Sequence, residues 1–317
     1  MVQVDIDQTL NNPFLLQVLF RITQTISPKT AKGILNIWKK IRSLFHFVDK
    51  LEQQLVSNLE EIFPSEYSKK ELRKIASECF YLRSRALYDF YHYRNDIAAL
   101  RKHIHVTPKA QSLINQIAQS NRGAIAISPH FVGADIVAIE LAQQIKNIQV
   151  ISIANPKKSY QLDNQIREDY GLRITPASMN ALRSAAKSLK AGGMAATGID
   201  RAFPEEHFPN SFFGKPAYLP TFYIRLALRY QVPIYQFIGL VDGDGNYTME
   251  GTGPIWLKKY PSLKEEVVEN SKEIIALTES AIQAHPEQWS MFHPLWADQF
   301  EKERVNHVTR RSNKKES

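Results

Sequence analysis

The feature that most constrains this chain is a change of period near residue 111. Before it, apolar residues recur at the three-to-four spacing that gives a helix one oily face. Phe14, Leu15, Val18, Leu19, Ile22 and Ile26 form one such stripe, and Ile34, Ile37, Trp38, Ile41, Leu44, Phe45 and Val48 a second. Leu72, Ile75, Ala76, Cys79, Leu82, Ala86, Leu87 and Phe90 form a third, with a start signal at Ser68. No strand pattern interrupts residues 1–110, which therefore read as helical. Beyond them, short apolar runs alternate with amphipathic stretches. Residues 124–128, 149–153, 194–197, 232–238 and 247–251 read as strands. Residues 134–146, 161–170, 179–190 and 221–230 read as the helices between or beside them, with one more helix over 265–284. This alternation predicts an α/β fold with a mostly parallel central sheet flanked by helices and preceded by a helical N-terminal region. Asp242-Gly-Asp-Gly-Asn246 reads as a hairpin turn joining the last two strands, and no Glu stands where a calcium loop would need its bidentate ligand.

Composition narrows the classes. The 317 residues, 44% hydrophobic and 23% charged, suit an ordinary globular chain of one large or two smaller domains. The single cysteine, Cys79, excludes an internal disulfide and a cysteine-based zinc site. A net charge of +8 favours an anionic partner: nucleic acid, phospholipid headgroups or a phosphorylated substrate. The apolar stretch from Phe14 to Phe20 contains Gln17 and ends at Arg21, far short of a membrane span. The second stripe carries Lys32, Lys39, Lys40 and Arg42 between its apolar residues. Such a helix can pack on a core, lie in a membrane interface with Trp38 at headgroup level and the lysines on anionic lipid, or do both.

Absent motifs weaken several chemistries. There is no Gly-x-Ser-x-Gly elbow, no phosphate-binding P-loop and no Gly-x-Gly-x-x-Gly fingerprint. His103 and His105 would share a strand face without acidic partners, so no metal site is expected there. The segment with chemical content is Ser128-Pro-His130-Phe-Val-Gly-Ala-Asp135, directly after the strand 124–128, because ligands of open α/β sheets bind at the carboxyl ends of strands. If His130 precedes a helix and Asp135 lies in its first turn, the carboxylate can reach back and fix one imidazole nitrogen, leaving the other to take a proton from a hydroxyl. A structural histidine at a strand end is the bland alternative.

His-x-x-x-x-Asp after a strand resembles the active-site motif of the glycerolipid and lysophospholipid acyltransferase superfamily, and four further blocks are similar to its bacterial lipid A biosynthesis (lauroyl/myristoyl-type) branch. They are Asn58-Leu-Glu-Glu-Ile-Phe63-Pro64; Asn155-Pro156 with Leu162-Asp163 and Arg167; Gly198-Ile-Asp200 with Phe212-Phe213-Gly214 and, beyond it, Val232-Pro233-Ile234; and Pro286-Glu287-Gln288-Trp289 with His293. The resemblance implies a glycerolipid acyltransferase-like core over residues 111–300 preceded by a membrane-associating helical region over 1–110, while the basic run Arg310-Arg-Ser-Asn-Lys-Lys315 reads by itself as a disordered tail over 301–317. It implies His130 and Asp135 as the catalytic pair, and Asn155, Arg167, Asp200, Arg201, Phe212, Phe213 and Gly214 as substrate-binding positions. Arg167 would hold an acceptor phosphate, Asp200 would steady Arg167 or Arg201, and the two phenylalanines would shape an acyl channel. No cofactor and no metal are implied; an acyl thioester, carried by acyl carrier protein or coenzyme A, is the co-substrate. The partners implied are that donor, a membrane lipid acceptor and an anionic membrane surface, at the cytoplasmic face of a bacterial inner membrane. Arg201 departs from the branch, which often has Gln or His after the Asp. Two rival readings are a nucleic-acid-binding protein, which would interleave basic and stacking aromatic residues, and a lipid-binding relative or esterase on the same fold. The aromatics here lie mainly in apolar stripes, which disfavours the first.

Overall fold

The structure is a computed structural model, and it describes residues 13–45, 50–154, 156, 158–203 and 209–299. Four helices lead: α1 (Pro13–Thr25), α2 (Pro28–Phe45), α3 (Lys50–Ile62) and α4 (Lys69–His92). Ser68 starts α4 through a capping box, its hydroxyl taking the Glu71 N–H while the Glu71 carboxylate takes the Ser68 N–H. The short helix α5 (Ile97–Arg101) leads to strand β1 (Ile104–Val106), which lies inside the stretch the sequence reads as unbroken helix. Three residues at a sheet edge carry too little alternation to register as a strand.

From there the expected alternation holds. The order is α6 (Pro108–Gln119), β2 (Ala124–Ser128), α7 (Ala134–Gln144), β3 (Ile148–Ser152), α8 (Lys158–Asp169), β4 (Arg173–Pro176), α9 (Met179–Lys190) and β5 (Met194–Gly198). Then come β6 (Asn210–Phe212), β7 (Lys215–Ala217), α10 (Phe222–Tyr230), β8 (Ile234–Val241), β9 (Tyr247–Ile255), α11 (Leu263–Ala284) and a 3-10 turn at Pro286–Gln288. Seven strands form one sheet in the order β1-β9-β8-β2-β5-β3-β4. β2 pairs in parallel with both β5 and β8, and β3 with β5 and β4, while β9 runs antiparallel to β8. The turn between β8 and β9 is the expected hairpin: Asp242 accepts from the Asp244 and Asn246 N–H groups, and Gly245 takes a positive φ. Strands β4, β6 and β7 were not legible in the sequence. β6 and β7 form a separate two-stranded ribbon whose turn, Phe213-Gly214, has positive φ at both residues, so Gly214 serves the backbone there.

Apolar side chains fill both faces of the sheet. Ile125, Ile127, Ala195 and Ile234 meet α9 and α10 on one side, and Ala124, Ala126, Met194 and Phe237 meet α6 and α7 on the other. Burial on both faces explains why the central strands read as continuous apolar runs. The expected tail 301–317 lies outside the described residues.

Candidate active site

β2 and β5 lie side by side at the middle of the sheet, in register from Ala124 opposite Met194 to Ser128 opposite Gly198. Their carboxyl ends therefore bring His130 and Asp200 together. The His130 Nδ1 lies 2.5 Å from an oxygen of Asp200, and the His130 backbone N–H donates to the same carboxylate at 3.0 and 2.9 Å. The indole N–H of Trp289 adds a fourth contact at 2.7 Å. Asp200 is fully buried. Burial works against its ionised form, but the charge and hydrogen bonds of His130 and the Trp289 donor outweigh it and hold its pKa below the ordinary Asp value. With Nδ1 turned to this carboxylate, the ring carries its proton there, and Nε2 is the nitrogen available as a base. The His130 side chain is 38% exposed, and no hydrogen bond engages Nε2 among the described residues.

The carboxylate expected on the imidazole, Asp135, is engaged elsewhere. It stands in the first turn of α7, facing α8, and receives the Arg167 guanidinium in a two-point pair at 2.7 and 3.0 Å. Arg167 also donates to Asn164 at 2.6 Å and lies 5.0 Å from the Tyr160 ring centre. Burial opposes the charge on both members, yet each stabilises the other: the Asp135 pKa falls and the Arg167 pKa rises. Asp135 still feels the His130 charge without touching the ring. Of the two arginines that Asp200 was expected to steady, Arg167 or Arg201, Arg167 is held by Asp135 instead. Backbone direction is the cause. The His130 ring turns from the loop towards β5, whereas a side chain in the first turn of α7 points across to α8.

The remaining positions are placed as follows. Arg201 is half-buried and makes no hydrogen bond or ion pair among the described residues. Phe212 is fully buried against Trp296, whose indole donates to the Phe212 carbonyl at 2.9 Å. Phe213 is half-buried, and its N–H donates to Glu279 at 2.5 Å. Asn155 lies outside the described residues. Near Arg167, Asp163 accepts from the Tyr91 hydroxyl at 2.7 Å. No group of three or more His, Cys, Asp or Glu side chains suited to a metal ion occurs among the described residues.

The blocks that the sequence sets far apart hold one another. Asn58 donates to the carbonyls of Met291 and His293 at 2.9 and 3.0 Å. The Ser290 N–H and hydroxyl both donate to the His130 carbonyl at 2.8 Å, and the Val132 N–H donates to the Gln288 carbonyl at 2.8 Å. Gln288 in turn pairs with the Val241 backbone at the end of β8. The buried Cys79 thiol donates to the Trp289 carbonyl at 3.4 Å, and burial pushes its pKa up to about 12. Sequence reasoning missed Asp200 as the imidazole partner and Trp289 as its donor. The available signal was positional, since Asp200 follows the strand beside the one that precedes His130.

A buried carboxylate orients a half-open imidazole at the carboxyl edge of a parallel sheet, an arrangement whose chemistry suits taking a proton from a hydroxyl. The family model for bacterial lipid A biosynthesis acyltransferases matches residues 18–298, and the chain belongs to that family. It is an acyltransferase enzyme. No curated protein matches the chain.

Proposed function

We propose that the protein moves a fatty acyl chain from an acyl thioester, carried by acyl carrier protein or coenzyme A, to a hydroxyl of a lipid A-type membrane glycolipid. The observation that carries the reading is the His130–Asp200 pair with its free Nε2, within a chain of this family. His130 Nε2 takes the proton of the acceptor hydroxyl, and the oxygen attacks the thioester carbonyl to give a tetrahedral oxyanion. Asp200 stabilises the imidazolium as it forms. Collapse breaks the carbon–sulfur bond, and the leaving thiolate recovers the proton from Nε2. No acyl-enzyme is required. Asp135 acts by fixing Arg167 in the groove beside the reacting groups. A lysophospholipid is the competing acceptor.

The helical region 1–110 is read as the membrane-associating part, attached peripherally at the cytoplasmic face. Among the described residues no helix is long and apolar enough to cross a membrane. α2 supports an interfacial role in an unexpected orientation. Lys32, Lys39 and Arg42 pair with Asp244, Glu78 and Glu52. Ile34, Ile37 and Trp38 face outward, with Ile37 61% exposed. On α1, Val18 and Ile22 are also exposed. The outward apolar residues, with Lys40 beside them, would lie against lipid.

The test is thiol release and lipid product from purified protein given acyl carrier and acyl-coenzyme A thioesters with a polar lipid extract. Acylated product is expected from wild type and a loss of about 10²- to 10⁴-fold in His130→Ala. Product mass separates a glycolipid from a lysophospholipid acceptor. Equal activity in both proteins overturns the mechanism.

A further inference from the structure

One polar group in contact with the His130–Asp200 pair takes no part in the proton transfer: the indole N–H of Trp289, 2.7 Å from an Asp200 oxygen. Helix α11 ends at Ala284, and Pro286 opens the 3-10 turn that brings the chain to the His130 loop. There Trp289 stands opposite Phe131 in an antiparallel bridge, with the Val132 N–H on the Gln288 carbonyl and the Ser290 N–H on the His130 carbonyl. The same short bridge therefore holds the backbone of the base and sets the indole against its carboxylate. Trp289 is fully buried there. The two Asp200 oxygens have different partners. Oδ1 lies 2.5 Å from His130 Nδ1 and Oδ2 takes the indole, with the His130 backbone N–H between them at 3.0 and 2.9 Å. The terminal torsion of an Asp is broad, so a carboxylate held on one side only can swing out of the plane of its partner. The indole restrains the other side. An indole N–H donates and never accepts, so it cannot compete with the carboxylate for the imidazole proton. Burial works against the Asp200 charge, and the charge and hydrogen bonds of His130, followed by the Trp289 donor, bring its pKa below the ordinary value.

We infer that Trp289 is a positioning residue for acyl transfer: its indole N–H fixes the plane of the Asp200 carboxylate, which fixes the His130 ring and aims Nε2 at the acceptor hydroxyl. A general base works only within hydrogen-bond reach of the proton it takes, and a displacement of about 1 Å can cost a hundredfold in rate. Trp289 touches neither the imidazole nitrogens nor the space beyond Nε2, so it acts through Asp200. Trp296 supplies the structural comparison. It is equally buried in the same apolar cluster, but its indole donates to the Phe212 carbonyl at 2.9 Å and not to a carboxylate. The role rests on the acyl-transfer reading and can fail separately from it.

Two readouts on the full-length protein test the role, one of them independent of turnover. A proton on His130 Nδ1 held in a short bond to a carboxylate gives a far-downfield NMR resonance, which His130→Ala identifies by removing it. Trp289→Phe is expected to shift that resonance or broaden it away, and to lower kcat about ten- to a hundredfold with the KM values little changed. Trp296→Phe loses an indole hydrogen bond from the same core and should leave the resonance in place. A resonance absent from wild type, or unmoved in Trp289→Phe, overturns the role. So does a moved resonance with wild-type kcat, or a raised KM at unchanged kcat, which would place Trp289 in substrate binding. An equal displacement in Trp296→Phe also overturns it, as a general loosening of the core. Circular dichroism establishes that each variant is folded. Should Trp289→Phe not fold, Asp200→Asn decides with isotope-labelled tryptophan: the Trp289 indole signal should move more than those of Trp38, Trp256 and Trp296, and an unmoved signal overturns the contact. The reading beneath is judged apart. A wild type that transfers no acyl group from any thioester overturns acyl transfer, while a resonance displaced in Trp289→Phe alone still shows that the indole holds the pair.

Discussion

The imidazole of His130 stands on the backbone of Gly198. A methyl group at Gly198 would lie 2.6 Å from Cε1 and 3.1 Å from Nε2 of the ring, closer than such contacts allow. Gly198→Ala therefore displaces the base without unmaking the sheet. We expect kcat to fall at least tenfold with secondary structure intact by circular dichroism, and wild-type turnover in that variant would show that the ring position is not critical. Asp200→Asn keeps the size of the side chain but removes the charge that fixes the tautomer, and kcat/KM should drop by roughly 10²- to 10⁴-fold. The same residue has a signature in acid. Asp200 and Asp135 both have folded pKa values below the ordinary 3.8, so the unfolded chain takes up their protons first. The stability they contribute is complete above 3.8 and is lost as pH falls through their folded values. Urea midpoints against pH should consequently fall less steeply below 3.8 in Asp200→Asn than in wild type. At this scale the sequence displayed His130, because the loop after an apolar strand is visible in one dimension. Its carboxylate was not visible, since Asp135 is near in sequence and Asp200 is near in space.

Helix α2 has two unlike faces. Its basic residues, which a helical wheel would assign to anionic lipid, are largely occupied by Asp244, Glu78 and Glu52, leaving the isoleucines and Trp38 to face outward. The amphipathic pattern was legible, but its orientation was not, because both stripes are long enough to be the inward one and only the tertiary partners choose. Replacing Ile37 and Trp38 with Glu should cut flotation with anionic vesicles by about tenfold or more while the melting temperature stays within a few degrees. Retained flotation would exclude this face as the anchor. The strands show the same dependence on context. β2 and β5 announce themselves by runs that are apolar on both faces, whereas β1, β6 and β7, three residues each, have no room for a period.

Across the whole molecule, one buried ion pair joins the parts. Arg85 and Asp89 on α4 pair at 2.9 and 3.1 Å, Tyr247 on β9 donates to Asp89 at 2.9 Å, and Arg85 reaches the Pro28 carbonyl where α2 begins. Gly245, in the turn between β8 and β9, lies directly against the guanidinium. The helical region and the sheet are thereby tied at a buried charged knot. Arg85→Met strands Asp89 without its cation and should cost about 3–5 kcal/mol in urea unfolding. The double variant with Asp89→Leu should recover most of that loss, and failure to recover would show that packing, not charge, is what Arg85 supplies. The residues of the five resembling blocks were legible individually, but their cohesion was not. Asn58 secures the chain at 291–293, and Trp289 donates to Asp200, so the blocks at either end of the sequence build the setting of the His130–Asp200 pair.

That arrangement also supplies a clock. The chain has one thiol, and it is enclosed beneath the carbonyl of the residue that steadies Asp200. With its pKa raised to about 12, Cys79 is almost wholly protonated near pH 8 and shielded from reagents, so it reacts only when the segment after α11 lifts away from α4. The rate at which a small maleimide or disulfide reagent consumes this sulfur is therefore the opening rate, or opening equilibrium, of the active-site wall, read without adding a label and separable from global unfolding by its denaturant dependence. An acceptor that tightens the groove should lengthen the half-life of the thiol, giving a binding signal that requires no turnover.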